Sequence, residues 1–207
     1  MKFTSVKTGM MQNNIKIAIT GGIGSGKSTV ARFLCKLGYA VVSCDQTYSE
    51  LLNDAEFANK IGEEFGGVLS DGEIDRKKLA EIVFNDEKQL LKLNSITHPA
   101  IMNAVSEKLR DCKLGFCEVP LLFENGFESL FNGVIVVLRS ESERINAVVK
   151  RDGIDTESVK KRINSQINYD NFDFAKYYAL HNDGNLDKLE RSTEDLLKKI
   201  KKEFKIF

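Results

Sequence analysis

Gly21-Gly22-Ile23-Gly24-Ser25-Gly26-Lys27-Ser28 decides the reading of this 207-residue chain. It fills every fixed position of the phosphate-cradling pattern G-x-x-x-x-G-K-[ST]. Its flanks are those the chemistry needs. Ile15-Lys16-Ile17-Ala18-Ile19 before it reads as a short buried strand, and Thr29-Val30-Ala31-Arg32-Phe33-Leu34 after it as the first turns of a helix. Glycines let such a loop adopt positive φ and bring backbone N–H groups close to oxyanions, while the helix N-terminus adds the positive end of its dipole. Gly21, Gly22, Ile23, Gly24, Ser25, Gly26, Lys27, Ser28 and Thr29 are therefore expected to hold the phosphates of a nucleotide. Lys27 would reach the β- and γ-phosphates, and the Ser28 hydroxyl would ligate Mg²⁺.

Outward from the loop, Ala40-Val41-Val42-Ser43 reads as a second buried strand after Gly38. Residues 46 to about 94 contain no core strand and read as helices broken by Gly66-Gly67 and Asp71-Gly72. Leu79, Ile82, Val83 and Phe84 give one of them an apolar stripe, which Leu90, Leu91 and Leu93 continue. Pro99 suits the first position of a further helix, which puts His98 at a helix start. Leu114–Val119 and Val134–Leu138 read as strands, the second as a continuous apolar run of the kind covered on both faces. From 141 to about 168 the chain is helical, charged and broken near Gly153. A last short strand near Tyr178-Ala179-Leu180 precedes a helix at about 186–202, with Leu189, Leu196, Leu197 and Ile200 on one side.

Strands alternating with helices predict an α/β chain: a P-loop NTPase three-layer fold with a central parallel sheet and its ligand at the carboxyl ends of the strands. Two helical insertions, about 46–98 and about 140–168, would overhang that edge, one holding an acceptor and one acting as a lid. That is the plan of a small-molecule kinase. Residues 14–207 are expected to form one such domain. Met1–Asn13, polar and without an apolar stretch, reads as a disordered extension or an overlong start, with Met10 and Met11 as alternative starts.

Lysine plus arginine equals aspartate plus glutamate, 30 of each, so no net positive charge favours coating a nucleic acid. Cys35, Cys44, Cys112 and Cys117 form no C-x-x-C pair, and His98 and His181 stand alone. This argues against a zinc site or a disulfide framework and for free thiols in a reducing cytoplasm. No stretch approaches the ~20 apolar residues of a membrane span.

Phosphoryl transfer asks for a carboxylate beside the acceptor hydroxyl. Asp45, ending the second strand on the edge that carries the loop, fits that role, and an N-cap for a helix starting at Gln46 is the alternative. Glu118 ends the third strand, where an acid can stand near Mg²⁺; a solvent-exposed strand end is its alternative, and Glu124 is open to the same two readings. Arg144, Arg151 and Arg162 lie in the second insertion. Arg151, just before the Asp152-Gly153 turn, suits a lid arginine, and a solvated helix face is the plain alternative for each. Asn182-Asp183-Gly184 reads as a turn that can also line an adenine.

These residues resemble the dephospho-CoA kinase family over about 15–200. Ile19 through Val30 is similar to that family's phosphate loop at every position. Gly72, Ile74-Asp75-Arg76 and Leu79 resemble its acceptor-side signature, and Leu93-Asn94-Ser95-Ile96-Thr97-His98-Pro99 the segment that follows. Pro120-Leu121-Leu122-Phe123-Glu124 is similar to its third-strand motif, Arg151-Asp152 with Gln166 to its lid, and Asn182-Asp183-Gly184 to its adenine-side loop. The resemblance implies ATP-dependent phosphorylation of the ribose 3′-hydroxyl of dephospho-CoA, giving CoA and ADP, by a cytoplasmic enzyme that uses ATP and Mg²⁺. It implies Asp45, Lys27 and Arg151 as catalytic, Asn182 and Gly184 at the adenine, Arg76 and His98 at the acceptor, and Ser28 with Glu118 at the metal. Small-molecule partners are expected, no nucleic acid or membrane, and a monomer is favoured. Three positions depart from the family pattern. Ser43 stands where an aspartate is usual, Ala147 where a lid arginine is usual (Arg144, one turn earlier, being the substitute on offer), and Lys176-Tyr177 where Ala-Asp is common. A nucleoside or nucleotide kinase on the same scaffold is the runner-up. A GTPase switch is disfavoured because the chain has no D-x-x-G, and Asn59-Lys60-Ile61-Gly62 lacks the aspartate of N-K-x-D.

Overall fold

Ile15, Ile17 and Ile19 alternate with Lys16, Ala18 and Thr20, and this period of two gives one strand two different apolar faces. A computed structural model describes residues 14–169 and 171–206; the expectation for Met1–Asn13 lies outside them. In chain order the elements are β1 (Ile15–Thr20), α1 (Lys27–Lys36), β2 (Ala40–Ser43), α2 (Cys44–Leu51), α3 (Ala55–Phe65), β3 (Leu69–Ser70), β4 (Glu73–Ile74), α4 (Arg76–Phe84) and α5 (Glu87–Lys108). They continue with β5 (Leu114–Glu118), β6 (Gly133–Leu138), α6 (Glu141–Asp152), α7 (Thr156–Asn164), β7 (Tyr178–His181) and α8 (Leu186–Glu203). Five strands form one parallel sheet in the order β2-β5-β1-β6-β7, with the loop-bearing strand at its centre.

The sheet is covered on both faces. Ile17, Ile19, Phe116, Ile135 and Val137 pack with Val30, Phe33 and Leu34 of α1 and Leu189, Leu197 and Ile200 of α8. On the other face Ala18, Cys117, Val134 and Val136 meet Ile101 and Val105 of α5. The result is the helix–sheet–helix P-loop architecture. Burying each such aliphatic side chain contributes about 1.5–3 kcal/mol, which is why continuous apolar runs appear here and not in the outer helices. Phe57, Ile61, Phe65, Leu79, Val83 and Leu93 form a further core that joins α3, α4 and α5 beyond the sheet. No described helix is long and apolar enough to cross a membrane.

Polar side chains cap most of the helices. Ser43, Asp54, Asp75, Asp86, Asp155 and Asn185 accept backbone N–H groups at the starts of α2, α3, α4, α5, α7 and α8. The first turns of α1 and α6 have no side-chain cap. Both of these helices abut the phosphate loop.

Three local readings are corrected. Pro99 does not begin a helix: it lies inside the 22-residue α5, which starts at the Asp86 cap and carries His98 in its middle. A buried row at Leu93, Thr97, Ile101 and Val105, spaced by four, holds the helix together through the missing N–H. The Phe84 end of the α4 stripe is solvent-facing, with Phe84 81% and Leu91 62% exposed, while Leu79 and Val83 are buried. The Asp71-Gly72 break is a two-residue turn with positive φ at both positions, joining β3 to β4 as a small hairpin.

Candidate active site

Gly26 ends the phosphate loop at φ 103°, a conformation that favours glycine, and serves as the N-cap of α1. With no side-chain cap and no acidic residue in its first turn, α1 points bare N–H groups and the positive end of its dipole at the loop's concavity. The loop is held from both sides. Asn182 Nδ2 donates to the Ser25 carbonyl at 2.8 Å, and the Asn182 N–H donates to Leu138 O at 2.8 Å, tying the loop to the end of β6. From the opposite side, Gln166 Oε1 accepts the Ile23 N–H at 2.8 Å. The next residue's N–H, that of Ile167, donates to Glu124 Oε1 at 2.9 Å. Two consecutive residues thus clasp the phosphate loop and the segment after β5. Phe123 adds ring contacts of 4.9, 5.9 and 5.1 Å to Phe172, Phe174 and Tyr177, which fasten the same strap.

Lys27 folds back on its own loop, donating from Nζ to the carbonyls of Gly21 at 2.7 Å and Gly22 at 3.2 Å. Burial pushes its pKa down to about 8, against the opposing pull of the Glu118 and Asp45 carboxylates, with Arg151 and Arg144 adding to the depression. Ser28 Oγ donates to Glu118 Oε1 at 2.7 Å, so the hydroxyl at the head of α1 and the carboxylate at the end of β5 share one spot. Hydroxyl and carboxylate oxygens are the donor set a hard cation such as Mg²⁺ prefers. Among the described residues no cluster of three or more His, Cys, Asp or Glu is arranged to hold a metal without further ligands.

Asp45 does not end β2, and it is not a cap. β2 stops at Ser43, whose Oγ accepts the Gln46 N–H at 3.3 Å and caps α2, which places Asp45 in the helix's exposed first turn. The carboxylate borders a cavity of about 230 Å³ whose wall includes Tyr48, Thr97, His98, Val119 and Phe127. His98 stacks edge-on against Phe127 at 5.0 Å, and burial lowers its pKa, which favours the neutral imidazole. The structure therefore brings Asp45 and His98 together. Arg76 is placed elsewhere: its guanidinium donates to Ser49 Oγ, the Ser49 carbonyl and Asn53 Oδ1 at 3.1–3.2 Å, pinning α4 to α2. It lines a neighbouring apolar cleft of about 290 Å³, and Tyr48 borders both spaces.

Beneath this cavity the Cys44 and Cys117 sulfurs lie 3.5 Å apart, both thiols free and buried. The contact with Cys44 and burial push the Cys117 pKa up, so this thiol stays protonated.

The arginines of α6 and α7 divide. The Arg151 side chain is 62% exposed and grips Asp152 through Nε at 2.6 Å and Nη2 at 3.0 Å; Arg162 Nη1 reaches the same carboxylate at 3.4 Å. Arg144, whose plain reading is a solvated face, is instead 4% exposed and lies against Gly22. Its position four residues before the buried Val148 was the available signal, since residues at that spacing share a helix face. Gln166 stood out only within the resemblance, and Tyr169, buried beside Arg144 with its pKa pushed up to about 12 by burial, left no mark in the sequence pattern.

A family model described as dephospho-CoA kinase matches residues 15–188. A dephospho-CoA kinase from Fusobacterium nucleatum is 36% identical over 191 residues, covering 90% of this chain and 95% of that one. Among solved structures, that of TT1252 from Thermus thermophilus superposes with a TM-score of 0.78 at 34% identity, covering 89% of this chain and 97% of the other. A dephospho-CoA kinase from Campylobacter jejuni superposes with a TM-score of 0.66 at 29% identity, covering 90% and 97%.

Proposed function

The chain belongs to the dephospho-CoA kinase family, and on that premise we propose that it transfers the γ-phosphoryl group of ATP to the ribose 3′-hydroxyl of dephospho-CoA, giving CoA and ADP. The observation that carries this reading is the placement of the two half-sites on one sheet edge: Lys27 on the phosphate loop feels the charges of both Glu118 and Asp45, and Asp45 opens onto the cavity beside α5.

The triphosphate lies along the loop from Gly21 to Thr29, met by backbone N–H groups and the bare head of α1. Lys27 Nζ exchanges the Gly21 and Gly22 carbonyls for β- and γ-phosphate oxygens. Ser28 Oγ and Glu118 are the oxygens that would hold Mg²⁺, which when bound neutralises charge on the phosphates. The acceptor occupies the cavity between α2 and α5, in contact with His98, while Arg76 keeps α2 and α4 together at its border. Asp45 orients the 3′-hydroxyl and takes its proton as the hydroxyl oxygen bonds to the γ-phosphorus and the bond to the β-phosphate oxygen breaks. Arg151 leaves Asp152 to meet charge on the transferred group, and α6 and α7 act as the lid, the insertions being about 46–98 and 140–168. Asn182 and Gly184 flank the adenine. Ser43 serves as a helix cap where the family usually has an acid, which leaves Asp45 as the single carboxylate of that turn.

The test is ADP release with MgATP and dephospho-CoA, beside AMP, CMP, adenosine and no acceptor, for the wild type and Asp45→Asn. The proposal expects turnover with dephospho-CoA alone and a loss of about 10²- to 10⁴-fold in kcat for Asp45→Asn with ATP binding retained. Preferred turnover with a nucleoside or nucleotide would overturn it.

A further inference from the structure

Among the described residues Arg144 is a charge without a counter-charge. Its side chain is almost wholly buried, Nε has no hydrogen-bond partner, and among the described residues no carboxylate lies within ion-pair distance of the guanidinium. Burying an unpaired cation is costly, and proteins ordinarily pair such groups or leave them in water. The other charged groups of α6 and α7 obey that rule: Arg151 and Arg162 share Asp152, and Lys160 meets Glu157.

The surroundings show what is missing. A Cβ at Gly22 would stand 2.1 Å from Arg144 Nη1, so this loop position is glycine where the guanidinium comes up against it. Arg144 borders a cavity of about 250 Å³ together with Gly22, Arg139, Tyr169 and Asp183, whose carboxylate is already taken up by Lys188 Nζ at 2.8 Å. Of the side chains that line this space, Arg144 Nε has no hydrogen-bond partner, Arg139 Nε has only Glu143 Oε2 at 3.9 Å, and Tyr169 has only the Thr20 hydroxyl beside it. A buried guanidinium without an acceptor, set against a phosphate-cradling loop, marks a site for an anion.

Resting on the nucleotide reading of the loop, we propose that Arg144 is a preformed polyphosphate-binding residue, fixed against Gly22 before the nucleotide arrives. The two arginines then have separate duties. Arg144 is already in place and contributes to nucleotide affinity, whereas Arg151 must first be released from Asp152. The site is kept at a cost to the empty protein, because the ligand supplies the missing charge.

The experiment is thermal unfolding of wild type, Arg144→Met and Arg144→Lys, each with and without inorganic tripolyphosphate, followed by ATP kinetics. Methionine keeps much of the apolar stem and removes the charge. The proposal expects Arg144→Met to melt no lower than wild type when empty, to lose most of the tripolyphosphate-induced rise in Tm, and to lose about 100-fold in kcat/KM for ATP. Arg144→Lys, which keeps the charge, recovers part of both. A packing arginine would give the opposite: a lower Tm for the empty Arg144→Met protein with the ligand-induced rise intact. Failure of Arg144→Met to fold would overturn the proposal as well, since removing an unpaired buried charge should not unfold a protein. The tripolyphosphate arm needs no acceptor, so a wrong assignment of dephospho-CoA would leave its outcome unchanged.

Discussion

Raising the pH should weaken ATP recognition and stabilise the empty protein over the same interval, and Lys27 is the cause of both. Its ammonium sits on two loop carbonyls in a site that pushes the pKa from 10.5 down to about 8. At 1.36 kcal/mol for each tenfold change, that depression sets a cost of at most about 3 kcal/mol on the charged form in the empty protein. Between pH 8 and 10.5 the unfolded chain still holds the proton and the folded protein does not. Stability therefore rises with pH through that window and is lowest, as far as Lys27 is concerned, below pH 8. Binding runs the other way. Only the ammonium attracts phosphate oxygens, so kcat/KM for ATP, which reports groups on the free enzyme, should fall about tenfold between pH 7 and pH 9. A bound triphosphate returns the pKa toward its ordinary value, so ATP binding at pH 8.5 should take up about three-quarters of a proton. Titration calorimetry in two buffers of different ionisation heat measures that uptake, and kcat/KM at saturating acceptor measures the limb. Lys27→Met is the control: it should remove the proton uptake, and the difference in its Tm from wild type should shrink above pH 8. A flat kcat/KM through pH 9 with no proton uptake would refute the reasoning, because Lys27 would then be fully charged in the free enzyme.

Two further outcomes follow from single contacts. Gln166→Met deletes the acceptor for the Ile23 N–H, and leaving that part-buried donor unpaired should cost about 1 kcal/mol, a Tm loss of about 2–4 °C. KM for ATP should rise while KM for dephospho-CoA holds, and Gln166→Glu should restore the stability; an unchanged KM for ATP would show that the clasp does not shape the loop. Pro99→Ala should raise Tm by several degrees, since an interior proline forgoes a helix hydrogen bond worth having at a cost of up to about 3 kcal/mol, and a fall in Tm would mean that the ring's packing outweighs the missing bond.

The readings that came out of the sequence share a cause. β1, β5 and β6 are short apolar runs covered on both faces, and the edge strands β2 and β7 are shorter apolar runs that are only partly covered, so each carries its own signal within a few residues. The phosphate loop likewise needs its glycines and Lys27 in one contiguous stretch. What was misread depends on distant chain. Pro99 looks like a helix start until Leu93, Thr97, Ile101 and Val105 are seen packing as one row. Phe84 joins the α4 stripe by spacing but lies beyond the core that α3, α4 and α5 close around Leu79 and Val83. Arg144 and Arg151 both precede apolar or turn residues on one helix, and only the loop packed against α6 separates the buried guanidinium from the exposed one. The clasp by Gln166 and Ile167 joins residues 143 and 43 positions apart, a separation that local pattern does not register.

The strand order has one more consequence. Hydrogen-bonded strands stand about 4.8 Å apart, and β5 lies between β1 and β2, so the chain entering the phosphate loop and the chain leading to Asp45 are held about 10 Å apart. The backbone ladder makes that interval a fixed gauge which substitution of a side chain does not reset. The interval is set by the peptide groups of Ile15–Ile19, Ala40–Ser43 and Leu114–Glu118, which pair in register. The helical layer from α2 to α5, with its separate apolar core, holds only the short β3–β4 hairpin, and no ladder joins it to the parallel sheet. A lineage could therefore re-tailor the acceptor chamber while the span between donor and base stayed constant, conserving the dimension on which in-line transfer depends.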